Sequence, residues 1–287
     1  MKMTYVNNNG EILENSGPTI HTGNRAFLYG DGVFESVRIL NGAPINLENH
    51  VKRMLEGART IKMRPPSFFD VNFFEQKIDE LIKKSEITGG GRCRISLDRS
   101  TGGAFLPESN EVEFFIEVYP LDVNKFELNS KGLEIDLYMD LKKNKTTLSN
   151  FKLKNSIIYV MASISAKEKG LDDHLISNNS GGILEGTSAN LFVVSNGVLY
   201  TPGLEEGCLA GTMRMQVINL ALENGIKVYE CNILPQNLLV ADEIFLTNAI
   251  QGIIWVSGYR TKRYFNNVSR KFIDLLNGVW LPQTDLF

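Results

Sequence analysis

The stretch Gly181–Pro202, GGILEGTSANLFVVSNGVLYTP, decides how this chain is read. Its apolar runs read as short strands, two of them joined by the turn Ser195-Asn196-Gly197. Between them a lone carboxylate, Glu185, ends a strand and is followed by Gly186-Thr187-Ser188-Ala189-Asn190. An exposed hairpin closed by an Asx or Ser turn explains that order. So does a site whose backbone turns closely around a ligand and holds a charged ring in place.

The rest of the chain narrows the choice. Its 287 residues suggest one large or two ordinary domains, and 43% hydrophobic with 22% charged residues is the make-up of a soluble globular protein. A net charge of -3 argues against a polyanion binder, so no nucleic-acid partner is expected. The densest basic run, LKKNKTT at Leu141–Thr147, lacks interleaved aromatics and reads as a solvated loop. Cys93, Cys208 and Cys231 show no CxxC spacing, and His21, His50 and His174 are scattered, so no metal site or disulfide framework is indicated. The amino-terminal MKMTYVNNNGEI has no apolar signal core, and no apolar run is long enough to span a bilayer. The expectation is a cytoplasmic protein with no membrane partner.

Strands and helices alternate. A strand is expected around Val33–Leu40, closed by Asn41-Gly42. Leu47, Val51, Met54, Ala58 and Ile61 then fall at helical spacing, with Asn46 as candidate N-cap. A second amphipathic helix fits VNFFEQKIDELIKKSEI, followed by strands at GRCRISLD and EVEFFIEVYP. The polar passage LDVNKFELNSKG, beyond Pro120, reads as an interdomain connection. A strand at LEIDLYM follows, then a helix at NSIIYVMASISAKEKG with Asn155 as candidate N-cap and Gly170 as stop. GTMRMQVINLALENG and RYFNNVSRKFIDLLNGV read as further helices, and EIFLTNAIQGIIWVSG as two buried strands around a polar loop.

Three features carry chemistry. Lys152 and Lys154 precede a helix, where a desolvated lysine is poised to form a Schiff base. Strand alternation does not choose between them. Gly211-Thr212 opens a helix, offering amides and a hydroxyl to a phosphate. Arg53 lies one turn from His50 on an apolar-faced helix and, alone, reads as a surface arginine. A lysine, a separate carboxylate and a phosphate-binding helix start are together what pyridoxal 5'-phosphate requires.

Glu185-Gly-Thr-Ser-Ala-Asn190-Leu-Phe192, Leu199-Tyr200-Thr201, Leu209-Ala-Gly211 and Arg214 resemble the class IV (fold type IV) pyridoxal-phosphate enzymes. These are the branched-chain and D-amino-acid aminotransferases and the aminodeoxychorismate lyases, and the likeness runs from about Tyr29 to the last strands. The resemblance implies a mixed α/β fold with a small domain at 1–120, a linker at 121–127 and a larger domain at 128–287. That larger domain carries the Schiff-base lysine and the phosphate site, with the cofactor between the domains and a homodimer as the assembly. The family's Lys-x-x-Asn element matches Lys152–Asn155, which makes Lys152 the Schiff-base lysine. Glu185 matches the carboxylate on the ring nitrogen, and His50-Val-Lys-Arg53 makes Arg53 a phosphate ligand. Gly211, Thr212 and Met213 match the phosphate cup, and Asn248 a further phosphate contact. The implied substrate-facing set is Phe34, Ser36, Arg38, Arg99 and Ala249, with Arg38 on the substrate carboxylate.

The chain also departs from the family. Thr212-Met213 stands where relatives usually have Ile-Thr, and Ser156 where branched-chain enzymes carry a tyrosine near the lysine. Ser36 replaces their glycine and is closer to the lyases' threonine. RSTGGAFLP keeps Arg99, Gly102 and Gly103 of the lyase loop, but Ala104 and Leu106 replace its second arginine and its tyrosine. The Arg-x-His of D-amino-acid aminotransferases is absent. The implied function is amino transfer between an amino acid, branched-chain or related, and a 2-oxo acid. The alternative is elimination from aminodeoxychorismate to 4-aminobenzoate and pyruvate. A cofactor-binding protein without turnover is opposed by the intact Lys152 and Glu185.

Overall fold

The structure, a computed structural model, describes residues 5–15, 17 and 20–281; the first four residues of the amino-terminal reading lie outside it. The chain divides into two compact units, Met1–Lys125 with Phe151–Asn155, and Phe126–Asn150 with Ser156–Phe287.

The first unit holds strands β1 (Tyr5–Asn8), β2 (Glu11–Glu14), β3 (Gly32–Leu40), β4 (Ala43–Pro44), β5 (Gly91–Arg99) and β6 (Val112–Pro120). They form one sheet, β2-β1-β6-β5-β3-β4, with every pair antiparallel. Its helices are α1 (Arg25–Tyr29), α2 (Leu47–Thr60) and α3 (Val71–Lys84). Strand alternation puts Val33, Val37 and Ile39 on the face that packs with Met54, Phe74 and Ile78 from α2 and α3. The opposite face carries Phe34, Ser36 and Arg38, in register with Ser96, Arg94 and Arg92 of β5.

Asn46 stands at the N-cap position of α2, as expected, but its side chain does not cap the helix. It sits at φ 55 and its side-chain oxygen accepts from Asn49 Nδ2 at 2.5 Å, leaving no side-chain bond to the helix backbone. Residues 151–155 join this unit because Phe34 N donates to Lys152 O at 3.0 Å and Lys154 N to Gly32 O at 2.9 Å. The sequence expectation carries Lys152 with the larger domain, whereas the backbone bonds it to β3. The first unit also runs on past Pro120 to Lys125.

The second unit holds β7 (Leu133–Leu137), β8 (Asp173–Ser177), β9 (Ile183–Glu185), β10 (Asn190–Ser195), β11 (Val198–Pro202), β12 (Val228–Cys231), β13 (Glu243–Asn248), β14 (Gly252–Tyr259) and β15 (Lys262–Arg263). Helices α4 (Ile157–Glu168), α5 (Thr212–Glu223), α6 (Pro235–Val240) and α7 (Asn267–Trp280) complete it. The sheet runs β12-β11-β10-β13-β14-β7-β8-β9, with β15 on β14. Because β9 also pairs with β10 through Glu185 and Asn190, the path from β10 through β13, β14, β7, β8 and β9 closes on itself. Leu175, Leu191, Val193, Ile244, Leu246 and Val256 form its core. Asn155 is not the cap of α4; the helix begins at Ile157 behind Ser156, which makes no side-chain cap bond. Gly170, at φ 70, does follow its last turn. Among the described residues no helix is long and apolar enough to cross a membrane.

Candidate active site

In the second unit the opening stretch forms a closed polar cluster. Gly186 N bonds Ala189 O at 2.8 Å, turning the chain from β9 into β10. A Cβ on Gly186 would stand 2.7 Å from Asp173 Oδ2, which is why glycine follows the carboxylate. Asp173 Oδ1 accepts from Thr187 Oγ1 at 2.7 Å and from Thr187 N at 3.2 Å. The turn therefore closes around Asp173. Burial raises the Asp173 pKa, and the Thr187 bonds work against that rise.

Glu185 itself is 3% exposed. Its Oε1 accepts from Lys143 Nζ at 2.7 Å and from Tyr159 Oη at 2.8 Å, and its Oε2 from Leu209 N at 2.8 Å. Asn190, its register partner on β10, donates to Leu209 O at 2.8 Å. The two side chains thus strap one peptide segment across the sheet and deliver Gly211 to the start of α5. Gly211 is needed there, since a Cβ would strike Asn190 Oδ1. The neighbouring Cys208 is no nucleophile: burial first, and the Glu185 charge next, push its thiol up to about 12.

Thr212 and Met213 occupy the buried first turn of α5, and Gly211 gives no side-chain cap. First-turn amides have no intrahelical acceptor and favour an anion. Thr247, in register with Asn190, lies on the same sheet face; its Oγ1 is buried and makes no hydrogen bond. Asn248 follows it at the end of β13. Its Oδ1 accepts from Ile250 N at 3.0 Å and Gln251 N at 2.8 Å, so its side chain builds the β13–β14 turn in which half-buried Ala249 lies.

The first unit carries the other predicted residues. Lys152 Nζ lies 4.6 Å from the centre of the Phe34 ring, and the Arg94 guanidinium 4.0 Å from it. A lysine amine and a guanidinium therefore share one aromatic ring, with half-buried Ser36 in register beside Arg94. Lys154 is set apart by chemistry: its ammonium pairs with the wholly buried Asp98, whose other oxygen accepts from Asn24 Nδ2 at 3.2 Å. Residues 151–155 are not a strand, so the alternation that would point both lysines alike does not operate.

Arg53 is not a surface arginine. Its Nε and Nη2 donate to Glu35 Oε1 and Oε2 at 2.8 and 2.5 Å, and His50 Nδ1 donates to Oε2 at 2.7 Å. Burial works to raise the Glu35 pKa, but the Arg53 charge and the His50 bond outweigh it and hold it at about 2. Two further arginines of the implied substrate-facing set lie in the first unit. Arg38 Nη2 donates to the carbonyls of Val123 and Lys125, which commits that nitrogen to the end of the unit. Arg99 uses all three guanidinium nitrogens, on Asp31, Asn110 and Ile61 O, at 2.8, 2.5 and 2.6 Å. Arg25 binds the same Asp31 oxygen and also Gly102 O at 2.9 Å and Ala104 O at 2.6 Å, so Arg25 fastens the Gly102-Gly103 loop.

These residues fit pyridoxal phosphate. Glu185 keeps one acceptor position, on Oε2, for a ring N–H. The buried Thr247 hydroxyl beside the α5 start lacks the partner that a phosphate oxygen would supply. Lys143, Tyr159 and Thr247 carry no signal in the sequence beyond their convergence within the second unit, and in the first unit Arg94 is marked only by the Phe34 ring it shares with Lys152.

Comparison with known proteins agrees with this chemistry. The family model for class IV amino-transferases matches residues 32–259. A Bacillus licheniformis D-alanine aminotransferase is 26% identical over 260 residues, covering 87% of this chain and 86% of its own. A Bacillus subtilis aminodeoxychorismate lyase is 27% identical over 260 residues, covering 88% and 85%. A branched-chain aminotransferase from Thermoproteus uzoniensis superposes with a TM-score of 0.88 at 22% identity, covering 96% of this chain and 94% of that one, which shows the fold.

Proposed function

The chain belongs to the class IV aminotransferases, and from that premise we propose that it moves an amino group from an amino acid to a 2-oxo acid with bound pyridoxal 5'-phosphate. The observation that carries this reading is Glu185, a buried carboxylate held by three donors with one acceptor position left. When bound, the cofactor supplies an electron sink for negative charge developing at the substrate α-carbon. Glu185 Oε2 holds the proton on the ring nitrogen that such a sink needs. Lys152 Nζ is the amine that anchors the cofactor and then takes and returns the substrate α-proton. The α5 start, the Thr247 hydroxyl and Arg53 bind the phosphate, with Glu35 and His50 fixing the guanidinium. Arg94, on the Phe34 ring it shares with Lys152, receives the substrate carboxylate. This role passes to Arg94 from Arg38.

Ser36 favours a second reading, elimination from aminodeoxychorismate. Its hydroxyl stands in register with Arg94, on the face that carries Phe34, where it would assist proton transfer to a leaving group. A panel of amino donors with 2-oxoglutarate, run beside a pyruvate-release assay on aminodeoxychorismate, tests both. Transfer from a branched-chain or related donor is the expected result. Pyruvate release without transfer to any oxo acid would reverse the order.

The same reading includes a homodimer in the cytoplasm. Ile157, Val160, Met161 and Ile164 make an exposed apolar stripe at helical spacing along α4, and the cysteines are free thiols. A solution mass of twice the chain, reduced to one chain by Ile164→Glu, is the expected outcome; a monomeric parent protein would contradict it.

A further inference from the structure

The mechanism above uses one oxygen of Glu185 and leaves unexplained why the other is bound twice. Three segments far apart in sequence converge on this carboxylate. Lys143 comes from the loop after β7, where its backbone N bonds Ser177 O at 3.0 Å and its ammonium also bonds Ser149 O at 3.1 Å. Tyr159 comes from the first turn of α4, and Leu209 from the segment before α5. The lysine and glutamate side chains are 13% and 4% exposed, so the pair is shielded from water and from salt.

An ionised carboxylate has about four acceptor positions, two on each oxygen. Lys143 and Tyr159 fill both on Oε1, and Leu209 N fills one on Oε2. We propose that Lys143 and Tyr159 are positioning residues of this site, saturating Glu185 Oε1 so that the carboxylate offers a single position, on Oε2, to the cofactor's ring nitrogen. This rests on the function proposed above. The division of labour follows from charge. The Lys143 cation offsets the cost of burying the carboxylate, and the neutral Tyr159 fixes its rotation. Burial first, and the Glu185 charge next, hold the Tyr159 phenol well above its ordinary range, so it remains a donor at every working pH.

The cation has a second consequence. A positive charge favours release of a nearby proton, so removing the Lys143 cation moves the visible transition of the bound cofactor to higher pH.

The test is a pH titration of the visible spectrum of the PLP-loaded protein, with the PLP Kd of apo-protein from fluorescence quenching. Lys143→Met, Tyr159→Phe and Lys143→Arg are compared with the parent. Lys143→Met is expected to raise the spectral transition by about one pH unit and to weaken PLP about tenfold. Tyr159→Phe should shift both the same way by less, and Lys143→Arg should restore parental values. A merely structural lysine would alter melting temperature without moving the transition. If Lys143→Met is insoluble, Tyr159→Phe against Lys143→Arg decides. Folded variants with the parent's transition and Kd overturn the proposal. A parent protein that binds no PLP overturns the functional reading instead, before any variant is compared.

Discussion

Replacing Glu35 by glutamine probes how the first unit supports Arg53. The carboxylate is 0% exposed and accepts two bonds from Arg53 and one from His50. Burial alone would raise its pKa; the guanidinium and the imidazole bring it instead from 4.5 to about 2. That lowering corresponds to about 3 kcal/mol of folding free energy at neutral pH. The folded value lies below the unfolded one, so this stability is present above 4.5 and is lost as pH falls toward 2. Glu35→Gln keeps the side-chain volume but presents one acceptor oxygen and no charge to a buried cation. Urea denaturation of both proteins across this pH range reads the difference. The expected gap is about 3 kcal/mol at neutral pH, shrinking through the acid range. A gap below about 1 kcal/mol, the scale of an exposed pair, or one that does not change with pH, would refute the reasoning.

Three further outcomes follow from the same geometry. Lys154→Met strands the buried Asp98 carboxylate and should cost about 3 kcal/mol of stability while PLP still binds; loss of PLP binding in a folded variant would contradict it. Thr247→Val removes an unsatisfied hydroxyl, so it should weaken PLP by about fivefold with no loss of melting temperature. An unchanged Kd there would take Thr247 out of the phosphate site. Ser36→Ala should leave amino transfer within a few-fold, whereas an eliminating enzyme would lose about tenfold to ten-thousandfold in pyruvate release.

What the amino-acid sequence discloses here is what local chemistry controls. The strands flanking Glu185, the turn at Gly186 and the helix opened by Gly211 follow from patterns a few residues long. Asn46 holds the N-cap position of α2 while its side-chain oxygen takes Asn49, and the cap reading at Asn155 failed because α4 starts behind Ser156. Asn248 likewise turns its amide to its own hairpin. The donors to Glu185 lie 42, 26 and 24 residues away, so no window along the chain contains them. Arg99 is implied as a substrate contact by its match to the lyase loop, and its bond to Asp31, 68 residues distant, lies beyond any local pattern. The two lysines could not be ranked by alternation, since the property that separates them is the buried Asp98 beside one and the Phe34 ring beside the other.

The central claim is that Lys152 is the amine that joins this chain to pyridoxal phosphate. Borohydride reduces the carbon–nitrogen bond between cofactor and lysine to a stable secondary amine, and peptide mass spectrometry then locates it. The protein loaded with PLP, reduced and digested, should carry the phosphopyridoxyl group on Lys152, and Lys152→Ala should carry none. A label on Lys154 or Lys143, or no label on a protein that turns over substrate, would contradict the account.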